Sequence, residues 1–331
     1  MWELRNRTPF SADRSFAIDK TGARSYVVVV KGTFNVAPDG KLSIADEQIP
    51  IEAAPRYRGE PGESSLIYEQ ELIAGKPRTD LYLNATAQSP SKRVTEVTVG
   101  IRTPAGSKAL LVKGDRRWER SAIGTIRASR VEPFETMPII YERAYGGYDQ
   151  LDPDPRKQCM DRRNPVGVGF YSDAAHRVGE LLPNIERAGS GECVAGFAAL
   201  CSYWEPRIRY QGTYDADWVE TQKPLLPSDY DPQFLQCAPT DQQFSPHVLG
   251  GQLIELFNMT PTGFLRFALP KHYFAFTTYA GKKQMEHRAM LSTVIVEADY
   301  PRVIMMWASS LECHHDIDAI DYTTISEKEY V

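Results

Sequence analysis

The chain lacks several features that would place it outside the cytoplasm or on a nucleic acid. No apolar run approaches the roughly 20 residues of a membrane helix, and the first ten residues, MWELRNRTPF, have no apolar stretch of the kind a signal peptide needs. The five cysteines are odd in number and scattered, which indicates free thiols in a reducing compartment. The net charge of -5 argues against binding to nucleic acids or anionic membranes, which requires a basic surface. We therefore expect a cytoplasmic protein with neither of these partners.

The sequence also has no catalytic motif with a recognisable mechanism. Gly167 and Gly169 form only a fragment of a phosphate-binding loop, because no third glycine follows at the required spacing. Ser190 lies between two glycines but not in the five-residue sequence of a nucleophile elbow. Four histidines, His176, His247, His272 and His287, are isolated along the chain, although a triad assembled in space stays open. We therefore predict that the protein is not an enzyme and needs no cofactor.

One sequence near the end of the chain, Cys313-His314-His315-Asp316, suggests metal ligands, because thiolate and imidazole are good zinc ligands. On a strand, only Cys313 and His315 would share a face. No CxxC or HxxxH pair supplies the two further ligands. We therefore expect a strand end with exposed histidines and no metal, and a zinc site at Cys313 and His315 remains the alternative.

Short β-type runs punctuated by turns predict a mainly β protein of antiparallel sheets, as a sandwich or a barrel-like fold. Ser25–Val36 (SYVVVVKGTFNV), a turn at residues 38–40 and the run 41–44 predict a hairpin. Four further runs after Gly263 predict an antiparallel meander. Helix signals are few, and a short helix within Pro246–Asn258 is doubtful because that segment contains two glycines.

Between these β-rich ends lies a segment of roughly residues 137–243 that is rich in Pro, Gly, Asp and aromatic residues. Disordered segments are poor in aromatic residues, so this segment is expected to form long ordered loops over a β scaffold, where function is often located. We predict a single domain over residues 1–331. Its parts are an N-terminal β part (1–136), a loop-rich central part (137–243) and a C-terminal β meander (244–331).

The stretch from Gly212 to His247 combines negative charge with aromatic residues. It contains six acidic residues and one basic residue, with two tyrosines, a tryptophan and two phenylalanines among them. Aromatic anchors flanked by charges are typical of protein-docking surfaces. The predicted partner-binding residues are Tyr214, Asp215, Trp218, Asp229, Tyr230 and Asp231. The alternative is that the aromatic residues are buried under the loops and that the acids only cap turns.

The segment Tyr141–Tyr148 (YERAYGGY) contains a glycine pair between tyrosines. Gly146 and Gly147 permit a backbone with positive φ, which would hold Tyr145 and Tyr148 against a sheet. Arg143 could then pair with a loop carboxylate such as Asp215 or Asp229. These features predict a structural clasp of Arg143, Tyr145, Gly146, Gly147 and Tyr148 that fastens the central loops to the β scaffold. Direct docking by the segment is the alternative, because Arg and Tyr are favoured at interface hot spots.

Ten short motifs occur in a fixed order along the chain. They are SSL (64–66), KPRTD (76–80), GDRRW (114–118), YERAYGGY (141–148), NPVG (164–167), LPNIE (182–186), WEPR (204–207), GTYDADW (212–218), LPSDYD (226–231) and APTDQQ (238–243). In this order they resemble a bacterial family long classed as a domain of unknown function and associated with adaptors, or chaperones, of the type VI secretion system. The resemblance covers essentially the whole chain.

This resemblance implies a cytoplasmic, non-catalytic adaptor that binds a toxic effector, often one with a tip domain of the PAAR type. The adaptor would help to load the effector onto the trimeric spike protein. Longer relatives continue into pentapeptide repeats, so the chain is expected to be the stand-alone form. The alternative from another functional class is a hydrolase or a carbohydrate-binding β domain with its site in the central loops.

Overall fold

The fold consists almost entirely of β-strands. A computed structural model describes residues 2–189, 192–313 and 319–328 of the chain. Within these ranges the strands are β1 (Glu3–Asn6), β2 (Ser11–Ile18), β3 (Arg24–Val36), β4 (Leu42–Ile44), β5 (Arg56–Tyr57), β6 (Leu66–Tyr68), β7 (Thr79–Asn84), β8 (Thr86–Gln88), β9 (Glu96–Thr103), β10 (Gly106–Lys113), β11 (Trp118–Arg120), β12 (Ile126–Ala128), β13 (Thr136–Pro138), β14 (Tyr145–Gly146), β15 (Tyr148–Asp149), β16 (Cys159–Met160), β17 (Val168–Gly169), β18 (Ile185–Glu186), β19 (Gln243–Phe244), β20 (Leu253–Phe257), β21 (Phe264–Ala268), β22 (Tyr273–Ala280), β23 (Lys283–Arg288), β24 (Met290–Glu297), β25 (Arg302–Glu312) and β26 (Tyr322–Lys328). The same ranges contain one α-helix, α1 (Ala216–Thr221), and short 3-10 helices at Tyr141–Arg143, Pro155–Lys157, Ala174–Arg177, Arg207–Tyr210, Pro232–Leu235 and Thr240–Gln242.

Three larger sheets, accompanied by two-stranded pairs, organise these strands. The seven-stranded sheet has the order β19-β7-β24-β25-β3-β2, with β4 also paired to β3. The five-stranded sheet has the order β18-β10-β9-β20-β21, and the four-stranded sheet has the order β1-β26-β22-β23. Most pairings are antiparallel, but β7 and β24 run parallel, as do β1 and β26. The prediction of a mainly β, antiparallel fold is confirmed, and the described residues form open sheets without a closed barrel.

The valine run in β3 is explained by burial on both faces of the seven-stranded sheet. Val28 and Val30 belong to the main hydrophobic core, which draws residues from Phe10 to Ile325. Val27 and Val29 point to the opposite face, where they form a second, smaller cluster. Successive side chains of a strand alternate between faces, so an unbroken apolar run marks a strand that is covered on both sides.

The C-terminal meander prediction is wrong in its topology, although its strands exist. The strand β21 pairs with β20 in the five-stranded sheet, β22 pairs with β23 and β26 in the four-stranded sheet, and β24 pairs with β25 in the seven-stranded sheet. Successive strand pairs therefore lie in different sheets, and residues of all three sheets belong to the same core. The doubtful helix within Pro246–Asn258 is absent as well, since that segment contains β20.

His287 on β23 makes stability depend on pH. Its ring is partly buried, stacks on Phe276 at 5.5 Å and meets the hydroxyl oxygens of Thr278 (2.9 Å) and Ser309 (2.6 Å). Burial lowers the pKa of His287 to about 4, whereas the unfolded chain has a histidine pKa of about 6.5. Between these values the unfolded state binds a proton that the folded state does not. The His287 contribution to stability is therefore complete above about pH 6.5 and is lost as the pH falls towards 4.

We expect the free energy of unfolding of His287→Gln to fall less between pH 7 and pH 5 than that of the wild type. Urea unfolding at the two pH values measures both slopes. Asp149 and His176 also have shifted pKa values, but they are the same in both proteins and cancel in the comparison. Equal slopes for the two proteins would show that His287 is protonated as readily in the fold as in the unfolded chain.

Candidate functional site

The predicted docking region is centred on the short helix α1. Asp215 is its N-cap and accepts a hydrogen bond from the Trp218 backbone N–H at 3.0 Å. The ring centroids of Tyr214 and Trp218 are 4.7 Å apart in an edge-to-face arrangement. The Trp218 indole N–H donates to the Leu225 carbonyl at 2.9 Å. Trp218 is half-buried and supports the helix from beneath, so it is not an outward-facing anchor.

Three of the predicted partner-binding acids cap local structure. Besides Asp215 at α1, Asp229 accepts from the Thr213 backbone N–H (2.9 Å) and hydroxyl (2.8 Å). Asp231 accepts from the Gln233 backbone N–H at 2.8 Å and begins a 3-10 helix. The backbone N–H of Thr213, and secondly its hydroxyl, lower the pKa of Asp229 by hydrogen bonding to the carboxylate. The backbone N–H of Gln233, and secondly its side-chain amide, lower the pKa of Asp231 in the same way. These three acids therefore make the contacts expected from the alternative interpretation, in which the acids of the region cap turns.

The aromatic residues of the region divide into exposed and half-buried members. Tyr214 is 51% exposed, whereas Tyr230 and Phe234 are half-buried and pack edge to face with ring centroids 6.1 Å apart. Val219, which the sequence analysis did not select, is 54% exposed. Trp218 and Val219 are consecutive residues of α1, so their side chains point in different directions. Trp218 packs inward and Val219 faces solvent.

Four exposed side chains therefore form what we call the α1 surface: Tyr214, Asp217, Val219 and Glu220. Within the described residues, the carboxylates of Asp217 and Glu220 make no hydrogen bond or ion pair, in contrast to the capping acids. The sequence analysis counted both acids in the charge of the region but did not select them. An aspartate before Ala216 is an N-cap signal, and this signal could have located α1 and its exposed face.

The α1 region is attached to the turn between β2 and β3. The Lys20 ammonium donates to the carbonyls of Ser228 (2.9 Å) and Tyr230 (3.2 Å), and the Gln222 amide donates to the Lys20 carbonyl at 2.6 Å. These contacts join residues that are about 200 positions apart in the chain, and they order the loops that carry α1. The α1 surface is therefore presented on a supported element.

The segment Tyr141–Tyr148 connects several of the other motifs. The Glu142 carboxylate accepts from the Ser65 backbone N–H (2.7 Å) and hydroxyl (2.8 Å). The Arg143 guanidinium donates to Asp115 (3.2 Å) and to the side-chain oxygen of Asn184 (3.1 Å). The expected pairing of Arg143 with Asp215 or Asp229 is therefore wrong. Arg143 pairs next to the end of β10, which joins the LPNIE and GDRRW motifs to the five-stranded sheet.

The glycine pair has the positive φ that the sequence predicts, at 146° for Gly146 and 117° for Gly147. The Gly147 backbone N–H donates to the Asn164 carbonyl at 2.8 Å. The Asn164 amide in turn donates to the carbonyls of Tyr141 (2.8 Å) and Tyr145 (3.0 Å). A Cβ added at Gly147 would lie 2.6 Å from the Gly167 carbonyl oxygen. The pair therefore permits a close approach of the YERAYGGY and NPVG segments.

The two tyrosines of the predicted clasp differ. Tyr145 is buried and donates to Glu192 at 3.1 Å, and burial raises its pKa to about 12. Tyr148 is 44% exposed and only approaches Gln158 at 3.4 Å, so the expectation that it is held against a sheet is wrong. In the chain, Tyr148 is on β15, whose side chains alternate between faces, and Asp149 occupies the buried face.

The histidine nearest to a catalytic arrangement in the central part is His176. Its Nδ1 lies 3.0 Å from the buried Asp149 carboxylate. The Ser172 hydroxyl donates to the same carboxylate at 2.6 Å and not to the histidine. A nucleophilic serine requires a base within hydrogen-bonding distance. In this trio, Ser172 and His176 both contact the buried Asp149 carboxylate, so the histidine is not placed to activate the serine.

Of the two candidate zinc ligands, Cys313 is within the described residues and His315 lies outside them. Cys313 is half-buried and free, and its thiol approaches the Leu311 carbonyl at 3.4 Å. Within the described ranges no group of three or more His, Cys, Asp or Glu side chains is arranged to hold a metal ion. No helix in the same ranges is both long enough and apolar enough to cross a membrane.

Comparison with known proteins places the chain by sequence family. The family model described as an uncharacterized protein conserved in bacteria (DUF2169) matches residues 21–308. No curated protein and no solved structure matches the chain. The matched range covers most of the chain, including the whole five-stranded sheet, α1 and the YERAYGGY segment, whereas β1, β2 and β26 lie outside it.

Proposed function

The chain belongs to the bacterial family DUF2169, and from this premise we propose that it is a non-catalytic adaptor, or chaperone, for a type VI secretion effector. In this proposal it acts in the cytoplasm, binds an effector that carries a PAAR-like tip domain, and promotes loading of that effector onto the trimeric spike protein. The order of the ten motifs supports the proposal, as does the presence of an exposed, supported surface for a protein partner.

The α1 surface carries this proposal. Tyr214 and Val219 are large exposed groups on the same short element as Asp217 and Glu220, whose carboxylates have no partner in the described residues. Aromatic anchors supply contact area, while charges determine orientation and exclude wrong partners. A surface with this charge is complementary to a segment of the effector that combines lysine or arginine with an apolar side chain. We therefore assign that basic segment as the occupant of the α1 surface.

The structure also determines which substitutions test the surface without damaging it. Charge reversal at Asp215, Asp229 or Asp231 would remove a capping hydrogen bond, which costs about 1 kcal/mol, and would confuse loss of binding with loss of structure. The carboxylates of Asp217 and Glu220 make no capping hydrogen bond within the described residues. The double variant Asp217→Lys/Glu220→Lys therefore changes the charge of the surface, and Tyr214→Ala/Val219→Ser changes its apolar area.

The proposal predicts the result of co-purification from the native bacterium with a tagged copy of the protein, followed by mass spectrometry. The wild type is expected to retain an effector with a tip domain, or the spike protein, through a salt wash. Each double variant is expected to lose at least about tenfold of the retained partner, equivalent to about 1.4 kcal/mol. The charge-reversal effect should be larger at low salt, because exposed charges are screened.

Tyr300→Ala is the matched control, since Tyr300 is 76% exposed and lies outside the α1 region. It is expected to retain the partner at the wild-type level. Recovery of neither an effector nor the spike, with both expressed and the protein folded, would reject the adaptor proposal. Recovery that is unchanged in both double variants would keep the adaptor but move its docking site away from α1.

A further inference from the structure

The β11–β12 hairpin lies outside the three larger sheets and shares no residue with the α1 surface. Its two strands pair antiparallel, with Arg120 opposite Ile126. At the start of β11, the Trp118 backbone N–H donates to the Glu180 carbonyl at 2.9 Å and attaches the hairpin to the rest of the chain. Ile123, in the turn, is 87% exposed. The hairpin is therefore held at its base and open to solvent at its turn.

The outer edge of β12 is open. In an antiparallel pair, the backbone groups of successive residues point alternately towards the partner strand and away from it. The Ser129 N–H donates to the Arg117 carbonyl at 2.8 Å and so faces β11. The alternation therefore directs the N–H and C=O groups of Ile126 and Ala128 to the other side, where the described residues supply no hydrogen-bond partner. An open edge of this kind can accept an extended segment as an additional strand.

The charge beside this edge is positive and lacks carboxylate partners. Arg120 and Arg130 are both exposed, and neither makes an ion pair within the described ranges. The Arg120 guanidinium donates to the Gly124 carbonyl at 3.3 Å. Arg127, on the opposite face of the hairpin, differs because it pairs with Glu119 at 3.0 Å. The face with Arg120 and Arg130 therefore carries two positive charges that no carboxylate in the described part of the chain neutralises.

The two arginines have a spacing that an extended chain can match. Alternate positions of a strand share a face, so Ile126, Ala128 and Arg130 lie on one face, and Arg120 lies beside Ile126 across the hairpin. The four residues from Ile126 to Arg130 span about 13 Å in an extended strand. In a segment added alongside β12, residues i and i+4 have the same separation and also share a face. A segment with the pattern acidic-x-apolar-x-acidic therefore presents two carboxylates to the two arginines.

We propose that β12 binds an extended acidic segment of another polypeptide as a third, antiparallel strand of the hairpin. The backbone of the segment bonds to the outward groups of Ile126 and Ala128, and its two carboxylates contact Arg130 and Arg120. The apolar side chain between them lies opposite Ala128. In this mode of recognition the main-chain hydrogen bonds supply affinity, and the side chains on one face supply selectivity. The site does not depend on the adaptor proposal, because none of its residues belongs to the α1 surface.

The layout of the hairpin favours a polypeptide over a membrane or a nucleic acid. Arg130 is seven residues from the exposed Ile123, about 23 Å along an extended strand. A bilayer that touched the turn would lie more than one Debye length, about 8 Å at physiological salt, from Arg130. The outward C=O groups of Ile126 and Ala128 need donors, which amide N–H groups supply and phosphate groups do not. An acidic segment that lies along β12 satisfies the backbone and both arginines together.

Isothermal titration of the full-length protein at low salt, with peptide at up to about 1 mM, tests the site. The probe is acetyl-Thr-Glu-Thr-Leu-Thr-Glu-Thr-amide, which has the proposed pattern. It is expected to bind, and the same peptide with both glutamates changed to glutamine is expected to bind at least about tenfold more weakly, because it lacks the charge-assisted hydrogen bonds.

Two N-methylated forms of the probe test the strand pairing itself. In the proposed register the N–H of the central leucine faces β12, whereas the N–H of the threonine after it faces solvent. N-methylation of the leucine is therefore expected to weaken binding by at least about tenfold, and N-methylation of the threonine to leave the affinity within about twofold of the unmodified probe.

Arg130→Gln and Arg7→Gln form a matched pair of protein variants. Both arginines are exposed and make no ion pair among the residues that the structure describes, but Arg7 follows β1 and is not part of the hairpin. Arg130→Gln should weaken the probe by about tenfold. Arg7→Gln removes the same charge and should leave the affinity unchanged, with both melting temperatures as in the wild type.

Several results would overturn the proposal. They are equal binding of the glutamate and glutamine peptides, equal effects of the two N-methylations, equal affinities of Arg130→Gln and Arg7→Gln, and no binding of any peptide. Sedimentation with phosphatidylglycerol vesicles that Ile123→Ser abolishes, without binding of the probe, would assign the hairpin to a membrane surface in its place.

Discussion

Gly147→Val is expected both to lower the melting temperature and to remove client binding. Gly147 has a φ of 117°, a conformation that a β-branched residue rarely adopts. The new Cβ would also lie 2.6 Å from the Gly167 carbonyl oxygen. That oxygen is backbone, so relief requires movement of the NPVG segment. The two effects together are expected to cost about 2–5 kcal/mol of unfolding free energy.

Gly124→Val separates the two causes. Gly124 also has a positive φ, 87°, but a Cβ added there meets nothing within 4 Å. It therefore reports the backbone cost alone, about 1–2 kcal/mol, and should leave client binding intact. Thermal melts and the co-purification assay on both variants make the comparison. Wild-type stability of Gly147→Val together with lost binding would assign the YERAYGGY segment to the interface itself.

The sequence predicts β-strands well in this protein because strand identity is a local property. Alternation and β-branched runs located β3 and, after residue 263, β21, β22, β24 and β25 within a few residues. Sheet membership is not local. The parallel pairing of β7 with β24 joins residues about 200 positions apart, and nothing in either strand encodes that partner. The meander prediction failed for this reason, since it assumed that the strands after residue 263 all pair in chain order within one sheet, whereas β21, β22 and β24 lie in three different sheets.

The candidate site shows a similar division between local and distant information. The positive φ of Gly146 and Gly147 follows from residue type and was predictable. The partner of Arg143 was not, because Asp115 and the acids of the α1 region are all remote from Arg143 in the sequence and only the fold selects one. Composition identified an acidic, aromatic segment, but capping depends on backbone N–H groups. Asp229 therefore became a structural residue while Asp217 remained available on the surface.

Asp80→Ala is expected to be the most destabilising single substitution among the charged residues considered, with a loss of about 3–5 kcal/mol. Asp80 is fully buried and accepts hydrogen bonds from the Lys76 ammonium (2.7 Å), the Gln236 amide (2.6 Å) and the Cys237 backbone N–H (2.8 Å). The substitution leaves Lys76 as a buried charge without its carboxylate. Urea unfolding of the wild type and the variant measures the loss.

Comparison with a double variant identifies the cause of that loss. If the unpaired Lys76 ammonium dominates, Lys76→Met/Asp80→Ala should be more stable than Asp80→Ala alone, because the second change removes the buried charge. Asp154→Ala is the surface control: Asp154 pairs with Arg156, whose side chain is 89% exposed, and caps a short 3-10 helix, so its removal should cost only about 1 kcal/mol. Equal losses for Asp80→Ala and the double variant would instead assign the cost to the Gln236 and Cys237 hydrogen bonds. In that case Asp80 holds the segment before the APTDQQ motif chiefly through neutral donors.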